Sequence, residues 1–407
     1  MKDIVIIAHF AASLQPGDNN RFFDLAGRLS AHGRVELVTS DFYHSGKCRR
    51  TGDYSQFPFR VTLLHEPGYP KNVCLRRFCS HWVFGRAVAR CLKGRKKPDV
   101  IYCAMPSLGA AGAAADYARR NGVRFIVDVQ DLWPEAFRMV FDLPPVSDLL
   151  FAPMTRKADR IYAQADEVIA VSDTYRRRAI QANHRCGGHT VYLGTELSVF
   201  DGHVRDHLSP PKESGELWVA YCGTLGSNYD LLCAMDALET LEKKGHGNVT
   251  LHIMGDGPLR EKFLAYAEKK PIRVRFWGRL PYGEMCALLS ACDIALNPIR
   301  AGSACSITNK HADYAAAGIP VVNSQESEEY RALVEGYGMG LNCACGDPAD
   351  MAKQLAFLLK HPEERERMGK NARRCAEERF DRGTTYQTIL DLVLRKEGPH
   401  EGSRHQP

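Results

Sequence analysis

Ser303-Ala304-Cys305-Ser306-Ile307-Thr308-Asn309-Lys310-His311-Ala312-Asp313-Tyr314-Ala315-Ala316-Ala317-Gly318-Ile319-Pro320-Val321-Val322 runs from small hydroxyl residues into a helix and out into a strand. The apolar run 293–297 precedes it, and Gly318 supplies the left-handed stop that ends a helix. Strand, loop, helix and strand together make one βαβ unit. Small residues ahead of a helix leave backbone N–H groups open to an anion, and the helix dipole favours that charge. Lys310 falls in the first turn, where the dipole disfavours a cation unless an anionic ligand compensates it. Asp313 follows at i+3, on the same face. A lysine for phosphate and a carboxylate for ribose hydroxyls suit a nucleotide; a surface Lys/Asp pair on an ordinary helix is the other reading of the same residues.

The same alternation extends outward in both directions. Apolar runs lie at 4–7, 35–39, 61–64, 99–103, 124–129, 167–171 and 190–193, with helical patterns such as 20–31, 73–93, 107–121 and 173–183 between them. A second series lies at 217–222, 249–254, 273–276, 293–297 and 320–323. Between the two series, the polar stretch 201–216 with Pro210-Pro211 reads as a linker or surface loop. The expected architecture is therefore α/β: two Rossmann-like, doubly wound domains, 1–200 and 201–380, facing a cleft. A C-terminal helix at 381–396 is expected to pack back on the first domain, ahead of a disordered tail at 397–407.

Composition narrows the class. The 407 residues are 44% hydrophobic and 25% charged, with a net charge of +6, which is too little for a dedicated nucleic-acid binder. No apolar run reaches the roughly 18 residues of a membrane span, and Met1–Ile7 carries no cleavable signal pattern. The 14 cysteines are scattered without a CxxC pair, which argues for reduced thiols in the cytoplasm and against zinc.

Three further stretches attract attention. Gly17-Asp18-Asn19-Asn20-Arg21 follows the first strand, where Asp18 or Asn19 is expected to cap a helix or meet an anion. Asp128, Gln130 and Asp131 end the strand 123–129, at the edge where doubly wound sheets bind ligands. The region 71–97 holds Arg76, Arg77, Arg86, Arg90 and Lys93 among its basic residues and no acid. Leu75, Phe78, Trp82, Ala89 and Leu92 recur in it at helical spacing. Such a helix suits an anionic membrane surface, with Trp82 at the interface; packing of the aromatic stripe into a core is the alternative.

Several segments, in order, resemble the large retaining family 4 of GT-B glycosyltransferases, in particular its capsule, O-antigen and exopolysaccharide members. Besides 303–322 these are Val127–Glu135, Tyr221–Ser227, Leu251–Arg260 with its Gly255-Asp256-Gly257-Pro258 turn, and Phe276–Pro281. The resemblance implies a nucleoside-diphosphate sugar donor, with a UDP-sugar favoured, and transfer with retention to a lipid-linked oligosaccharide or polysaccharide in surface polysaccharide synthesis. It makes the first domain the acceptor side and the second the nucleotide-sugar side. It implies no cofactor and no metal. On the donor it places Gly17, Asn19, Gly223, Thr224, Gly278, Arg279, Ser306, Thr308, Asn309, Lys310 and Asp313. On the acceptor side it places Gln130 and Asp131, and it assigns Asp131 and Lys310 to the chemistry.

Two departures from the family pattern stand out. Cys305 occupies the position of the first of two glutamates, and Asp313 that of the second. Thr224 and Asn228 stand where a phosphate-binding arginine and lysine are common, so Lys310 is expected to take over charge neutralisation. The location implied is the inner face of the cytoplasmic membrane, as a peripheral protein. A sugar-nucleotide epimerase on the same scaffold and a catalytically inactive binding subunit are the rival readings.

Overall fold

β-Branched, almost continuously apolar runs have no polar face to turn to solvent, so they form strands covered on both sides. In the computed structural model, which describes residues 1–12, 14, 19–71, 74–138, 146–303 and 306–395, they build two parallel sheets. In the first half lie β1 Lys2–Ile7, β2 Gly33–Ser40, β3 Phe42–Tyr43, β4 Cys48–Arg49, β5 Arg60–Leu64, β6 Val100–Met105, β7 Arg124–Val129, β8 Glu167–Ala170 and β9 His189–Thr190. The sheet order is β5-β2-β1-β6-β7-β8-β9, with β3 and β4 forming a separate antiparallel hairpin. The second half holds β10 Leu217–Cys222, β11 Val249–Met254, β12 Arg273–Gly278, β13 Ile294–Asn297, β14 Val321–Asn323 and β15 Gly340–Asn342, in the order β12-β11-β10-β13-β14-β15. Each order reverses beside its first strand, next to β1 and next to β10. There the carboxyl ends open a crevice.

Each sheet separates two cores. Val5, Ile101 and Val127 pack beneath the helices Leu75–Lys93 and Leu108–Asn121 on one face of the first sheet. Ile4, Ile6 and Tyr102 pack on the other face, with Leu25 and Leu29 of the helix Arg21–Ser30. That second core also takes Ile389, Leu392 and Val393 from the C-terminal helix Gln387–Leu394, so the chain's end lies against its beginning. Lys2 Nζ donates to the carbonyl of Val393 at 3.2 Å. The residues expected as a tail, 397–407, lie outside the described residues.

The chain crosses between the halves twice, side by side: Thr195 N donates to Phe380 O at 2.9 Å, and Arg382 N to Thr195 O at 3.0 Å. Gly194 permits the approach, since a Cβ there would lie 2.3 Å from Phe380 O. Below this crossing, Arg21 is buried with Asp128 at 2.8 Å and also donates to the carbonyls of Val191 and Tyr192.

Two local expectations change. The stretch 201–216 is not loop throughout, because the helix Leu197–Asp206 continues through its first residues. Phe200 and Val204 on that helix pack into the core of the second half, and burial outweighs the polar composition. The cap of the first helix is Asn20 rather than Asp18 or Asn19: its extended backbone lets the side chain accept from Phe22 N and Phe23 N.

Candidate functional site

The helix Asn309–Ala316 starts at the crevice of the second sheet, after β13. Thr308 caps it reciprocally with His311. His311 reaches down to Asn297 and Gln325 at 3.2 and 3.1 Å, and burial, with Lys310 next, lowers its pKa to about 3, so it is neutral. This buried polar layer fixes the helix start. Lys310 is 7% exposed, and its Nζ lies 4.1 Å from the Tyr229 ring centroid and 5.3 Å from that of Tyr221. Beside it runs the backbone of Gly223, whose Cβ position lies 3.9 Å from Lys310 Cδ. Among the described residues, Asn309 Oδ1 is buried with no hydrogen-bond partner. Ser306 and Thr308 are half-buried at the same helix start, while Cys305 lies outside the described residues.

Asp313 is buried one turn along. Its Oδ1 accepts from Tyr282 Oη at 2.9 Å and from Asn19 Nδ2, in the other half, at 3.4 Å. Burial raises its carboxyl to about 6 against these hydrogen bonds. Tyr282 also meets Thr195 at 2.7 Å, and Arg382 donates to Asn19 Oδ1. Asn19 and Asp313, both expected at the donor, are thus joined across the cleft. Gly17, expected beside Asn19, lies outside the described residues.

The glycine turns around Lys310 lock into one another. Gly255, at φ +149°, would put a Cβ 1.8 Å from Gly223 O, and Gly257 would clash with the Leu225 backbone. Gly223 N donates to Met254 O and Gly255 N to Gly278 O. The Gly255–Pro258 turn is therefore a packing element under Gly223. Thr224 and Arg279 are exposed at the rim, and Arg279 Nη2 reaches Tyr43 Oη of the first half at 3.1 Å.

On the opposite wall, Gln130 Nε2 is buried without a hydrogen-bond partner among the described residues. Asp131 accepts from Leu132 N at 2.9 Å and Tyr175 Oη at 3.4 Å, and burial raises its pKa. Its cationic neighbour is Arg77. Asp131 belongs to the first half, just after β7, and Lys310 to the second, on the helix Asn309–Ala316.

The sequence reading missed a buried cluster behind Asp131. His9 Nδ1 meets Ser107 Oγ at 2.8 Å, and its Nε2 meets Glu66 Oε1 at 2.9 Å. The arrangement has the order of a Ser-His-Glu triad. However, Ser107, His9 and Glu66 are 1%, 2% and 1% exposed, and His9 is stacked between Phe10 and Phe84. No substrate carbonyl can reach that serine, so the cluster is a structural clamp between strand ends. Single residues in the loops after three separate strands gave no motif to find.

The helix Leu75–Lys93 divides the residues of its predicted stripe between surface and core. Phe78 and Trp82 are 48% and 59% exposed, and Leu75 is exposed too; the buried face is His81, Phe84, Gly85, Val88 and Leu92. Gly85 packs onto Gly109, which pulls two helices together; of the stripe, Leu92 lies on this buried side while Leu75, Phe78 and Trp82 face outward. Arg76, Arg86, Arg90 and Lys93 are exposed, as expected of a surface-facing set. Arg77 is not: it is turned inward, 4.8 Å from the Trp133 ring, because aromatic faces hold it there. No helix among the described residues is long and apolar enough to cross a membrane, and none of their His, Cys, Asp and Glu residues form a group of three that could hold a metal ion.

Comparison with known proteins gives the family and the fold. Residues 17–187 match the model of the glycosyl transferase 4-like domain, and residues 205–375 that of glycosyl transferases group 1. A probable glycosyltransferase, WbjE of Pseudomonas aeruginosa, is 22% identical over 248 residues, 58% of this chain and 59% of that protein. Glycogen synthase of Mycobacterium tuberculosis is 29% identical over 183 residues, 44% of this chain and 43% of that protein. The matches thus span about half the length of these curated relatives. The crystal structure of Anabaena HepE in complex with UDP-glucose superposes with a TM-score of 0.69, covering 97% of this chain and 99% of that one at 17% identity. That likeness is one of fold.

Proposed function

The chain belongs to the family 4 type of GT-B glycosyltransferases, and on that premise we propose that it transfers a sugar from a UDP-sugar to a lipid-linked or polysaccharide acceptor. Transfer proceeds with retention at the anomeric carbon, as a step of surface polysaccharide synthesis. The observation that carries this reading is the buried Lys310 at a helix start, between Gly223 and the aromatic rings of Tyr221 and Tyr229. A buried ammonium at the positive end of a helix dipole is unfavourable alone and becomes favourable with a diphosphate.

In this reading Lys310, the N–H groups of the helix start and Gly223 hold the diphosphate and stabilise its charge as it leaves. Asn309 faces the donor. Asp313 takes the ribose hydroxyls while Asn19 bridges to it from the other half. Gly278 and Arg279 line the base side, with Thr224, Ser306 and Thr308 at the phosphates. Gln130 orients the acceptor, and Asp131 accepts a hydrogen bond from its attacking hydroxyl. The exposed face of Leu75–Lys93, with Arg86 stacked 4.8 Å from the Trp82 ring, meets the inner face of the cytoplasmic membrane.

The test is calorimetric. UDP should bind the wild type, and Lys310→Ala should weaken it by about 1–3 kcal/mol, the scale of a charge-assisted hydrogen bond. Unchanged affinity would remove Lys310 from the diphosphate. Incubation with a UDP-sugar and a glycan acceptor then separates transfer from epimerisation of the free donor and from binding without turnover.

A further inference from the structure

One cluster at the carboxyl edge of the first sheet has no part in the donor site. The β3–β4 hairpin carries His44 and Lys47 toward Tyr69 and the helix residue Arg77. Lys47 has φ +53°, the left-handed region, at a hairpin position that normally takes glycine. Among the described residues it is the one non-glycine with positive φ. That backbone brings its Nζ to 4.8 Å from the Tyr69 ring centroid and 3.4 Å from His44 Nδ1. Arg77, from the helix Leu75–Lys93, lies 5.6 Å from the Tyr69 ring and 5.8 Å from Phe10. Two half-buried cations from different elements therefore converge on one aromatic cluster.

Acids and histidines of neighbouring elements act on this pair. Glu66 is 1% exposed and accepts from His9, Ser40 and Ser80, and its charge also acts on His44 and Tyr69. Burial and the two cations lower His44 to about 4, which leaves it neutral and able to donate. His81, behind Arg77 and stacked on Trp133, is lowered to about 2, chiefly by burial. Burial first, and then Arg77, lowers the Lys47 pKa. Asp131 is the remaining acid near Arg77, and it is engaged by Leu132 N and Tyr175. The hairpin also borders the cleft, since its Tyr43 accepts from Arg279 of the second half.

We propose that Lys47, Arg77 and His44 form an acceptor subsite that binds a phosphoryl or diphosphoryl group, with the Tyr69, Phe10 and Trp133 rings covering the group attached to it. This rests on the transferase reading only in calling the ligand an acceptor. Two chemical sources share the group, a polyprenyl diphosphate and a soluble sugar phosphate. A guanidinium and an ammonium around one anion give a bidentate fork and a point charge, a combination suited to phosphate oxygens.

The experiment titrates pyrophosphate into the full-length protein with and without saturating UDP. Pyrophosphate should still bind the UDP-loaded protein. Lys47→Gln and Arg77→Gln should each lower that affinity at least ten-fold while UDP affinity stays at the wild-type value, which also shows that the variants are folded. Loss of pyrophosphate binding when UDP is present, or variants that bind pyrophosphate like the wild type, would overturn the subsite. A wild type that binds no UDP counts against the donor assignment instead, and the two variants then still decide the subsite. Farnesyl diphosphate and glucose 1-phosphate, used as competitors, tell the sources apart: the lipid source predicts that the first displaces pyrophosphate at lower concentration, the soluble source that the second does.

Discussion

At the scale of single residues, Asp313 shows how burial converts a binding carboxylate into a pH-dependent one. Its carboxyl stands at about 6, against an ordinary 3.8. A value raised on folding means that the folded chain holds the proton longer. Its stabilising effect is full below about pH 4 and is lost as pH rises through 6. Asp313→Asn cannot ionise, so its stability should exceed that of the wild type by about 3 kcal/mol at pH 7, with the difference closing toward pH 4. Urea unfolding across that range checks this, and parallel curves would count against it. The residue was visible in sequence as the partner of Lys310 at i+3. Its hydrogen bond from Tyr282 and its bridge to Asn19 were not, since both partners are remote in the chain and carry no pattern of their own.

At the scale of elements, two glycines of the second half predict losses of different size. Gly255 has a carbonyl 1.8 Å from its Cβ position, whereas Gly278, at φ +69°, has open space around it. Gly255→Ala should therefore destabilise by about 3 kcal/mol, through collision of two turns. Gly278→Ala should cost about 1 kcal/mol, the left-handed backbone penalty alone. Denaturant titration of the pair separates steric from conformational demand; equal losses would contradict the close approach.

The helix Leu75–Lys93 supplies the other element-level prediction. Wild-type protein should co-sediment with vesicles containing anionic lipid at low salt and leave them as salt rises. Replacing Arg86, Arg90 and Lys93 together by glutamine should weaken this by about 3 kcal/mol, near 1 per charge, without altering UDP affinity. Trp82→Ala should weaken it too, because that ring is exposed rather than in the core. A wild type indifferent to such vesicles would make the basic face a solvated one.

At the scale of the whole molecule, the first half is held by contacts among residues far apart in sequence. Arg21 pairs with Asp128, donates to Val191 and Tyr192 carbonyls, and meets Tyr386 Oη at 3.2 Å. One buried cation thus joins the first helix, the fifth strand in sheet order, the crossing segment and the C-terminal helix. Breaking a buried pair leaves an uncompensated charge, so Asp128→Asn should cost about 3–5 kcal/mol in chemical unfolding. A loss under 1 kcal/mol would show that the carbonyls and Tyr386 satisfy Arg21 without it.

The division between sequence and structure follows from the range of the forces. Alternating apolar runs and helical periods are local, so two parallel sheets, their order of elements and the Lys310 helix start could be read directly from the chain. The β3–β4 hairpin and β15, two or three residues each, lie below the length at which periodicity carries a signal. Which cap residue the first helix uses turned on one φ angle, and whether the polar start of 201–216 is helix turned on Phe200 and Val204 finding a core. Only tertiary packing decided that Arg77 faces inward, that Asn19 touches Asp313, and that Lys47, Arg77 and Tyr69 meet. Those contacts join strand ends and turns whose separation in sequence bears no relation to their separation in space. The carboxyl edge of a parallel sheet gathers side chains from every crossover, and no periodicity along the chain records which ones arrive there.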